Sequence, residues 1–196
     1  MDEGWLIKQA QKGDNKAFEL LIDEHFKKIY NIAYRLSGNE ADASDMTQEV
    51  LIKIFRHIGS FSGNSKFSTW VYRVATNTCL DELKKIKRRS TYSLDAELDT
   101  GENEVVVQIR DEAPTPDIAA EQKELSAAVG KAIKRLSPDH SAVVILRDIQ
   151  GMSYEEVAKI LNCSVGTVKS RLNRGRAQLK KILEKDSYFN GTFSEE

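Results

Sequence analysis

The segment from Ser164 to Arg176, SVGTVKSRLNRGR, combines small polar residues with lysine and arginine and contains no acidic residue. At 100° per residue, its apolar positions Val168 and Leu172 share one side of a helix. The opposite side holds Gly166, Thr167, Ser170, Asn173, Arg174, Ala177 and Lys181, and the flanks hold Lys169, Arg171 and Arg176. In a major groove, flanking cations meet phosphates while central polar groups meet base edges. The pattern therefore favours DNA binding over a merely solvated basic face.

Another helix must precede this one and hold it in place. Ser153 and Glu156 have the spacing of a capping box, which predicts a helix that begins after Ser153. That helix breaks at Asn162 and Cys163, and Ser164 is placed to cap the next one. Two short helices around a tight turn form a helix-turn-helix. Such units also occur as packing motifs, but the basic second helix favours DNA.

A second candidate DNA surface lies on the helix predicted for FSTWVYRVATNTCLDELKKIKRR. The core side takes Phe67, Trp70, Val71 and Val74, and the far side takes Thr69, Tyr72, Arg73, Thr76, Asn77, Lys84 and Lys87. The preceding loop holds Phe61, Ser62, Gly63, Asn64, Ser65 and Lys66. An aromatic loop beside hydrogen-bonding and basic groups suits an unstacked base better than an intact duplex. The alternative is that Phe61 belongs to the hydrophobic core and the lysines are simply solvated. For Trp70 we expect a place in the core.

The helix predicted for ASDMTQEVLIKIFRHI has a face of mixed character. Its buried side takes Val50, Leu51, Ile54 and Ile58, and its other side takes Asp45, Gln48, Glu49, Ile52 and Arg56. One isoleucine within a polar, partly acidic face suggests a docking surface for a basic partner helix. Without further information, a solvated face is the simpler interpretation.

Composition excludes several classes of function. The 29 basic and 30 acidic residues nearly cancel, so any affinity for nucleic acid must come from where charge lies. Cys79 and Cys163 are isolated from each other and from the histidines, so we expect no metal site and two buried apolar cysteines. The sequence contains no phosphate-binding glycine loop and no catalytic nucleophile paired with a general base. We therefore predict neither an enzymatic activity nor a cofactor. The sequence has no apolar run long enough to span a membrane, so we expect a cytoplasmic protein.

The helical periodicity predicts an all-α chain with two small domains. The first domain spans residues 1–90 and the second spans residues 118–185, with a polar tail at 186–196. Residues 91–117 are strongly acidic and contain Pro114 and Pro116, which predicts a linker. The composition alone favours a solvated spacer. The alternative is a segment that lies in a basic groove of a partner.

Three stretches resemble one known family. QKGDNKAFELL, DMTQEVLIKIFRHIGSFSGNSKFSTWVYRVATN and LRDIQGMSYEEVAKILNCSVGTVKSRLNRGRAQLKK are similar to the extracytoplasmic-function sigma factors of bacterial RNA polymerase. The matches cover both predicted domains in the expected order. The resemblance implies that the first domain is sigma region 2, which docks on the clamp helices of the largest polymerase subunit and melts the −10 element. It implies that the second domain is sigma region 4, which reads the −35 element as duplex.

The resemblance also implies roles for particular residues. The polymerase contacts would be Asp45, Gln48, Glu49 and Ile52. The −10 contacts would be Phe61, Ser62, Asn64, Lys66, Tyr72, Arg73, Asn77 and Lys84, with the loop and Asn77 forming the pocket for a flipped base. The −35 contacts would be Arg147, Thr167, Lys169, Ser170, Arg171, Asn173 and Arg174. The acidic linker would thread toward the active-site cleft of the polymerase, which reverses the preference for a simple spacer.

The partners implied are core RNA polymerase, promoter DNA and an anti-sigma factor, which in this family is often bound to the membrane. The family commonly has a basic residue in the helix after Pro138, where this chain has Ser141, and the position of Asn173 varies with promoter preference. The promoter sequence is therefore left open. The alternative function is a conventional helix-turn-helix regulator that binds an operator without polymerase.

Overall fold

The computed structural model describes residues 2–92 and 116–185, and these residues contain helices and turns but no strand. The helices are α1 (Glu3–Gln11), α2 (Asn15–Ser37), α3 (Glu40–His57), α4 (Phe67–Tyr92), α5 (Pro116–Lys134), α6 (Pro138–Val144), α7 (Tyr154–Ile160) and α8 (Val165–Leu183). A 3-10 turn at Ile58–Ser60 follows α3, and a π-helical turn at Ile145–Ile149 follows α6. The all-α prediction is confirmed.

Side chains at the helix ends define the boundaries of the first helices. The Asp14 carboxylate accepts hydrogen bonds from the amides of Lys16 and Ala17 and so starts α2. At the other end of α2, Gly38 adopts a left-handed conformation with φ of 76°, which a residue with a side chain rarely takes. Asn39 then caps α3 through the amide of Asp42 at 2.8 Å. Residues 37–39 therefore form a tight turn between two packed helices.

Helices α1 to α4 form an N-terminal unit around a core of branched and aromatic side chains. Ile29, Ile32, Ile54, Phe67 and Val71 are each at most 1% exposed. Burying one such side chain contributes about 1.5–3 kcal/mol, so these positions anchor the bundle. Trp70 is also buried, as predicted.

Helices α5 to α8 form a C-terminal unit with its own buried residues, among them Val143, Ile145 and Val157. Helix α8 crosses α6 at Gly175, where a Cβ atom would lie only 3.1 Å from Cγ2 of Val144. Glycine at this position therefore permits the close approach of the two helices.

The two units pack against each other. Helices α6 and α7 contact α4, and α5 contacts α2. The side chain of Lys134 lies across Gly38, and Nη2 of Arg35 is 3.4 Å from Oγ of Ser126. Buried apolar residues of both units form one continuous cluster. The tail and nearly all of the acidic linker lie outside the described residues, and α4 and α5 extend two residues into the predicted linker at either end.

Candidate nucleic-acid and polymerase interfaces

The helix-turn-helix is built by two capped helices. The Ser153 hydroxyl accepts from the amide of Glu156 at 3.2 Å, while the Glu156 carboxylate accepts from the amide of Ser153 at 2.9 Å. These hydrogen bonds are the main reason that the pKa of Glu156 is lowered. Asn162 takes the left-handed conformation with φ of 49°, and Ser164 caps α8 through the amide of Thr167 at 3.0 Å. The capping box and second cap are as predicted.

Helix α8 buries Val168 and Leu172 against the other helices of the C-terminal unit, and its opposite side faces outward. The predicted −35 residues Lys169, Ser170, Asn173 and Arg174 are exposed, and Thr167 and Arg171 are half-buried. The hydroxyl of Ser170 donates to the carbonyl oxygen of Thr167 at 3.0 Å, so Ser170 keeps lone pairs available to another donor. The exposed side thus offers cations and short polar groups together.

Some cations of α8 are held by acidic neighbours, which the sequence pattern did not predict. Nη2 of Arg171 lies 3.0 Å from Oδ2 of Asp139. Nε and Nη2 of Arg176 lie 2.9 and 2.5 Å from the two carboxylate oxygens of Asp148, and this hydrogen bonding raises the pKa of Arg176. Within the described residues, no such ion pair holds Arg174. The guanidinium of Arg174 is therefore open to another anion, and the described residues likewise show no such ion pair for Lys169 and Lys181 of the same helix.

Arg147 lies beside α8 although it is far from that helix in sequence. Its Nη1 donates to the carbonyl oxygen of Met152 at 2.7 Å, which fixes the guanidinium over the ring of Tyr154 at 4.7 Å. The Lys169 ammonium lies 5.6 Å from the centre of the same ring. One tyrosine thus brings two predicted −35 cations to the same place, at distances at which a cation and an aromatic face attract.

The predicted −10 loop is held by packing and hydrogen bonds at its aromatic end, and its polar residues are exposed. Phe61 is half-buried and lies 5.3 Å from Phe67 and 5.7 Å from Trp70, measured between ring centres. Nε2 of Gln11 donates to the carbonyl oxygen of Phe61 at 2.9 Å and to that of Ile58 at 3.1 Å. Residues Ser62, Asn64 and Lys66 are exposed. Sequence reasoning missed Gln11, which holds this loop from a helix about 50 residues away.

The predicted DNA stripe of α4 is only partly exposed. Arg73, Asn77 and Lys84 are exposed, and Nζ of Lys84 lies 3.4 Å from Oδ1 of Asp81. The expectation of exposure is wrong for Thr69, Tyr72 and Thr76, which are 7%, 6% and 0% exposed. The Tyr72 hydroxyl lies 3.1 Å from Nδ1 of His25, and Lys28 Nζ lies 5.7 Å from the Tyr72 ring centre. These residues are buried because neighbouring helices pack around α4 on most sides.

The predicted docking face of α3 lies on the surface. Asp45, Gln48 and Ile52 are exposed, with Ile52 at 44%. Glu49 is half-buried and lies 3.9 Å from Nζ of Lys53. Phe55, one turn after Ile52, is 45% exposed and meets Phe18 edge to face at 5.0 Å. Phe55 was missed by the sequence reasoning, and it widens the apolar part of this face.

The cysteines differ from each other. Cys79 is buried, as predicted, and desolvation raises the pKa of its thiol to about 12. The prediction of a buried Cys163 is wrong, because this residue lies half-exposed in the turn of the helix-turn-helix. Within 2–92 and 116–185, no cluster of three metal-ligating side chains occurs. In the same ranges, no helix has the length and apolar character needed to cross a membrane.

Comparison with known proteins identifies the class. Residues 21–89 match the family model of sigma-70 region 2, and residues 126–179 match that of sigma-70 region 4. The chain is 40% identical over 178 residues to the ECF RNA polymerase sigma factor SigW of Bacillus subtilis (strain 168), covering 90% of this chain and 94% of that relative. It is 35% identical over 183 residues to the RNA polymerase sigma-H factor of Pseudomonas aeruginosa, covering 91% and 92%.

A solved structure shares this fold. The sigma factor RpoE of Bartonella quintana, in complex with the anti-sigma factor NepR, matches with a TM-score of 0.66 and 25% identity, over 87% of this chain and 99% of that one. The chain belongs to the extracytoplasmic-function RNA polymerase sigma factors. These proteins are transcription initiation factors rather than enzymes, and they bind core RNA polymerase and direct it to specific promoters.

Proposed function

We propose that this chain divides promoter recognition between its two units. The C-terminal unit reads the −35 duplex through α8 and Arg147. The N-terminal unit holds the opened −10 strand through the 61–66 loop and the exposed side of α4, and it binds the polymerase clamp helices through α3. The observation that carries this proposal is the outward face of α8, where exposed polar and cationic side chains lie opposite buried Val168 and Leu172.

The chemistry of α8 suits a major groove. Lys169 and Arg174 can neutralise phosphates, and Ser170 and Asn173 can hydrogen-bond to base edges from the middle of the same face. Arg147 adds a guanidinium whose direction is fixed by Met152 and Tyr154. Because phosphate contacts release counterions, promoter affinity should fall as the salt concentration rises.

The chemistry of the N-terminal unit suits a single strand. Extruding a base costs a few kcal/mol, and a pocket that receives the base offsets this cost. Phe61 offers an aromatic surface, Ser62 and Asn64 offer hydrogen-bonding groups in the same loop, and Asn77 offers another about three turns along α4. Lys66, Arg73 and Lys84 can follow the backbone phosphates. Opening the −10 element then needs binding energy alone, without a hydrolysis step.

The α3 face suits a protein partner. Ile52 and Phe55 are large apolar side chains left exposed among polar neighbours, and Asp45 and Glu49 add negative charge at the same face. An apolar centre with a charged rim is typical of protein interfaces, and the negative charge favours a basic partner helix. The clamp helices of the largest polymerase subunit are the proposed partner.

An inhibitory partner is also part of the proposal. The similar sigma factor from Bartonella quintana was solved with the anti-sigma factor NepR, and the fold of this chain is also shared by the sigma factor CnrH, solved with the cytosolic domain of CnrY. We therefore expect an anti-sigma factor for this chain, which could itself be anchored in a membrane. Because the chain works with RNA polymerase, its proposed location is the cytoplasm.

The experiment that tests the division of work uses three promoter templates with core polymerase and this chain. One template is intact, one has a scrambled −35 element and one has a scrambled −10 element. We expect the −35 change to weaken closed binding in a gel shift, and the −10 change to abolish permanganate-reactive thymines while closed binding persists. Two results together would support a conventional regulator instead. The chain alone would bind the intact duplex tightly, and no permanganate-reactive thymines would appear when polymerase is added.

A further inference from the structure

The loop that begins at Phe61 is held at its start by a residue far away in the sequence. Gln11 is the last residue of α1, and its Nε2 donates to the carbonyl oxygens of Phe61 and Ile58, at 2.9 and 3.1 Å. Carbonyl oxygens only accept hydrogen bonds, so the Gln11 amide must present its NH2 group to them and not its oxygen. One side chain thus holds two points of the backbone that lie three residues apart.

Helix α1 is itself anchored, so Gln11 is a firm point of attachment. Leu6 and Ala10 of α1 are buried in the core of the N-terminal unit. The backbone then turns at Gly13, which has a left-handed φ of 91°, and the Asp14 carboxylate caps α2. The end of α1 is therefore fixed between a packed helix and a capped one.

Beyond Phe61 the loop has few contacts of its own until α4 begins at Phe67. Within the described residues, no backbone amide of 62–66 donates to a backbone carbonyl, and a Cβ atom at Gly63 would meet nothing within 4 Å. In the same part of the chain, Gln11 is the only hydrogen-bond partner of the Phe61 carbonyl oxygen. The course of the loop after Phe61 is therefore set by this hydrogen bond and by the packing of the Phe61 ring.

The hydrogen bonds of Gln11 do little for the core. Gln11 is exposed, and the carbonyl oxygen of Ile58 already accepts from the amide of Phe61 at 3.0 Å. A hydrogen bond at the surface replaces one with water, so its net contribution to stability is modest, but it fixes the groups that it joins. The position in which Gln11 holds the loop is therefore the main effect of these bonds.

We propose that Gln11 is a positioning residue of the −10 site, which fixes the start of the 61–66 loop so that an extruded base of the opened strand meets a preformed pocket. This rests on the proposed function. A loop that is already ordered loses less conformational freedom when the base enters, so the base is held more tightly. Gln11 acts through the loop and does not touch the base. Helix α1 thereby becomes part of the apparatus that keeps the promoter open.

The test compares two neutral substitutions on α1, in the full chain with core polymerase. Gln11→Met keeps the length of the side chain and removes both donors. Gln9→Met makes the same change at a side chain that has no hydrogen bond within the described residues. On a promoter from which the unmodified chain initiates, permanganate reactivity measures strand opening and gel shifts measure closed binding.

The ratio of open to closed complex is the expected point of difference. Gln11→Met should lower this ratio about three- to tenfold, the range for the loss of one or two neutral hydrogen bonds, at unchanged closed binding. Gln9→Met should leave both quantities as in the unmodified chain. Unchanged opening in Gln11→Met, or an equal loss in Gln9→Met, would overturn the proposal.

A template with mismatched −10 strands distinguishes holding the base from separating the strands. Its −10 strand is already unpaired, so most of the cost of extruding a base is absent. Because Gln11 positions the loop that holds the base, the lifetime of the complex under excess competitor DNA should still be about three- to tenfold shorter in Gln11→Met. A lifetime equal to that of the unmodified chain would overturn the holding role.

A rescue variant tests whether the donors are responsible. Gln11→Arg restores several N–H donors in a planar fork that can meet two carbonyl oxygens. Gln9→Arg adds the same charge on roughly the opposite side of α1, since two residues turn a helix by about 200°. We expect Gln11→Arg to open promoters as well as Gln9→Arg does, and better than Gln11→Met. Opening as poor as that of Gln11→Met would contradict the role of hydrogen bonding.

Failure of the Gln11 proposal and failure of the proposed function give different results. An equal loss of opening and closed binding in Gln11→Met, with a lower free energy of unfolding in urea, would show a structural role alone and overturn the proposal. Initiation by the unmodified chain would leave the proposed function standing in that case. No opening with the unmodified chain would overturn the proposed function, and the role of Gln11 with it.

Discussion

Nδ1 of His25 on α2 lies 3.1 Å from the hydroxyl oxygen of Tyr72 on α4, so the two side chains meet between these helices of the N-terminal unit. His25 is 7% exposed, and its Nε2 has no hydrogen-bond partner within the described residues. The ring of Phe67 lies 5.7 Å away, so a core aromatic residue borders the imidazole as well. This pair ties a predicted −10 residue to the core, and it places a titratable group where charge is unfavourable.

The buried histidine predicts a loss of stability in acid. Desolvation holds the pKa of His25 below its ordinary value of 6.5, against the opposing influence of Glu3 and Glu24. Below about pH 6.5 the unfolded chain binds a proton that the folded chain does not, so the free energy of unfolding falls as the pH falls toward the folded pKa. Urea unfolding at several pH values between 5 and 8 measures this dependence.

Two variants make the acid prediction specific. His25→Gln should lower the free energy of unfolding at neutral pH and make it less sensitive to pH than in the unmodified chain. His57→Gln makes the same substitution at an exposed position and should leave the free energy of unfolding at neutral pH unchanged. An unaltered pH dependence in His25→Gln would show that other groups cause the acid sensitivity.

Two buried threonines should respond in opposite directions to the same substitution. Thr76→Val removes a hydroxyl without a partner and keeps the shape, so the free energy of unfolding should rise by about 1 kcal/mol. Thr47→Val removes a hydroxyl that donates to the carbonyl oxygen of Ala43 at 2.7 Å, so the free energy of unfolding should fall by about 1 kcal/mol. Urea unfolding compares both variants. Destabilisation by Thr76→Val would indicate a hydrogen-bond partner for that hydroxyl.

Arg174 should contribute to −35 recognition more than Arg176 does. Arg174→Ala should weaken binding of the polymerase complex to −35 duplex about tenfold, which is the size of effect expected when one hydrogen-bonded contact with a charged phosphate is lost. Arg176→Ala should have a smaller effect, because Asp148 already holds that guanidinium. Gel shifts measure DNA binding, and sedimentation measures core binding. Loss of core binding in Arg174→Ala would contradict the separation of the two roles.

The face of α3 should be required for binding to polymerase. Asp45→Lys together with Glu49→Lys reverses its charge and should abolish core binding, while helix content by circular dichroism stays unchanged because both residues lie outside the core. Asp23→Lys together with Glu24→Lys makes the same charge change on α2 and serves as control. A retained core complex in the α3 variant would place the docking surface elsewhere.

The helix boundaries could be predicted from sequence because they depend on local hydrogen bonds. The Ser153 and Glu156 capping box and the Ser164 cap are set by residues three positions apart, and the structure confirms them. The apolar periods of α3 and α8 likewise predicted which sides of those helices are buried. Such features require only the spacing along one helix.

The contacts between distant segments could not be predicted in this way. Gln11 holds the loop at Phe61, and Asp148 holds Arg176, although neither pair shows a pattern in the sequence. The burial of Thr69, Tyr72 and Thr76 depends on which helices pack around α4. A polar residue on a helix has the same periodicity whether it faces water, another helix or DNA.

Runoff transcription from a promoter library, with purified core RNA polymerase and with or without this chain, would show whether the chain directs initiation. We expect initiation only in the presence of the chain, from promoters that share one −35 and one −10 sequence. If the chain neither binds core polymerase nor supports initiation, and selects a duplex site by itself, it is a conventional regulator and not an initiation factor.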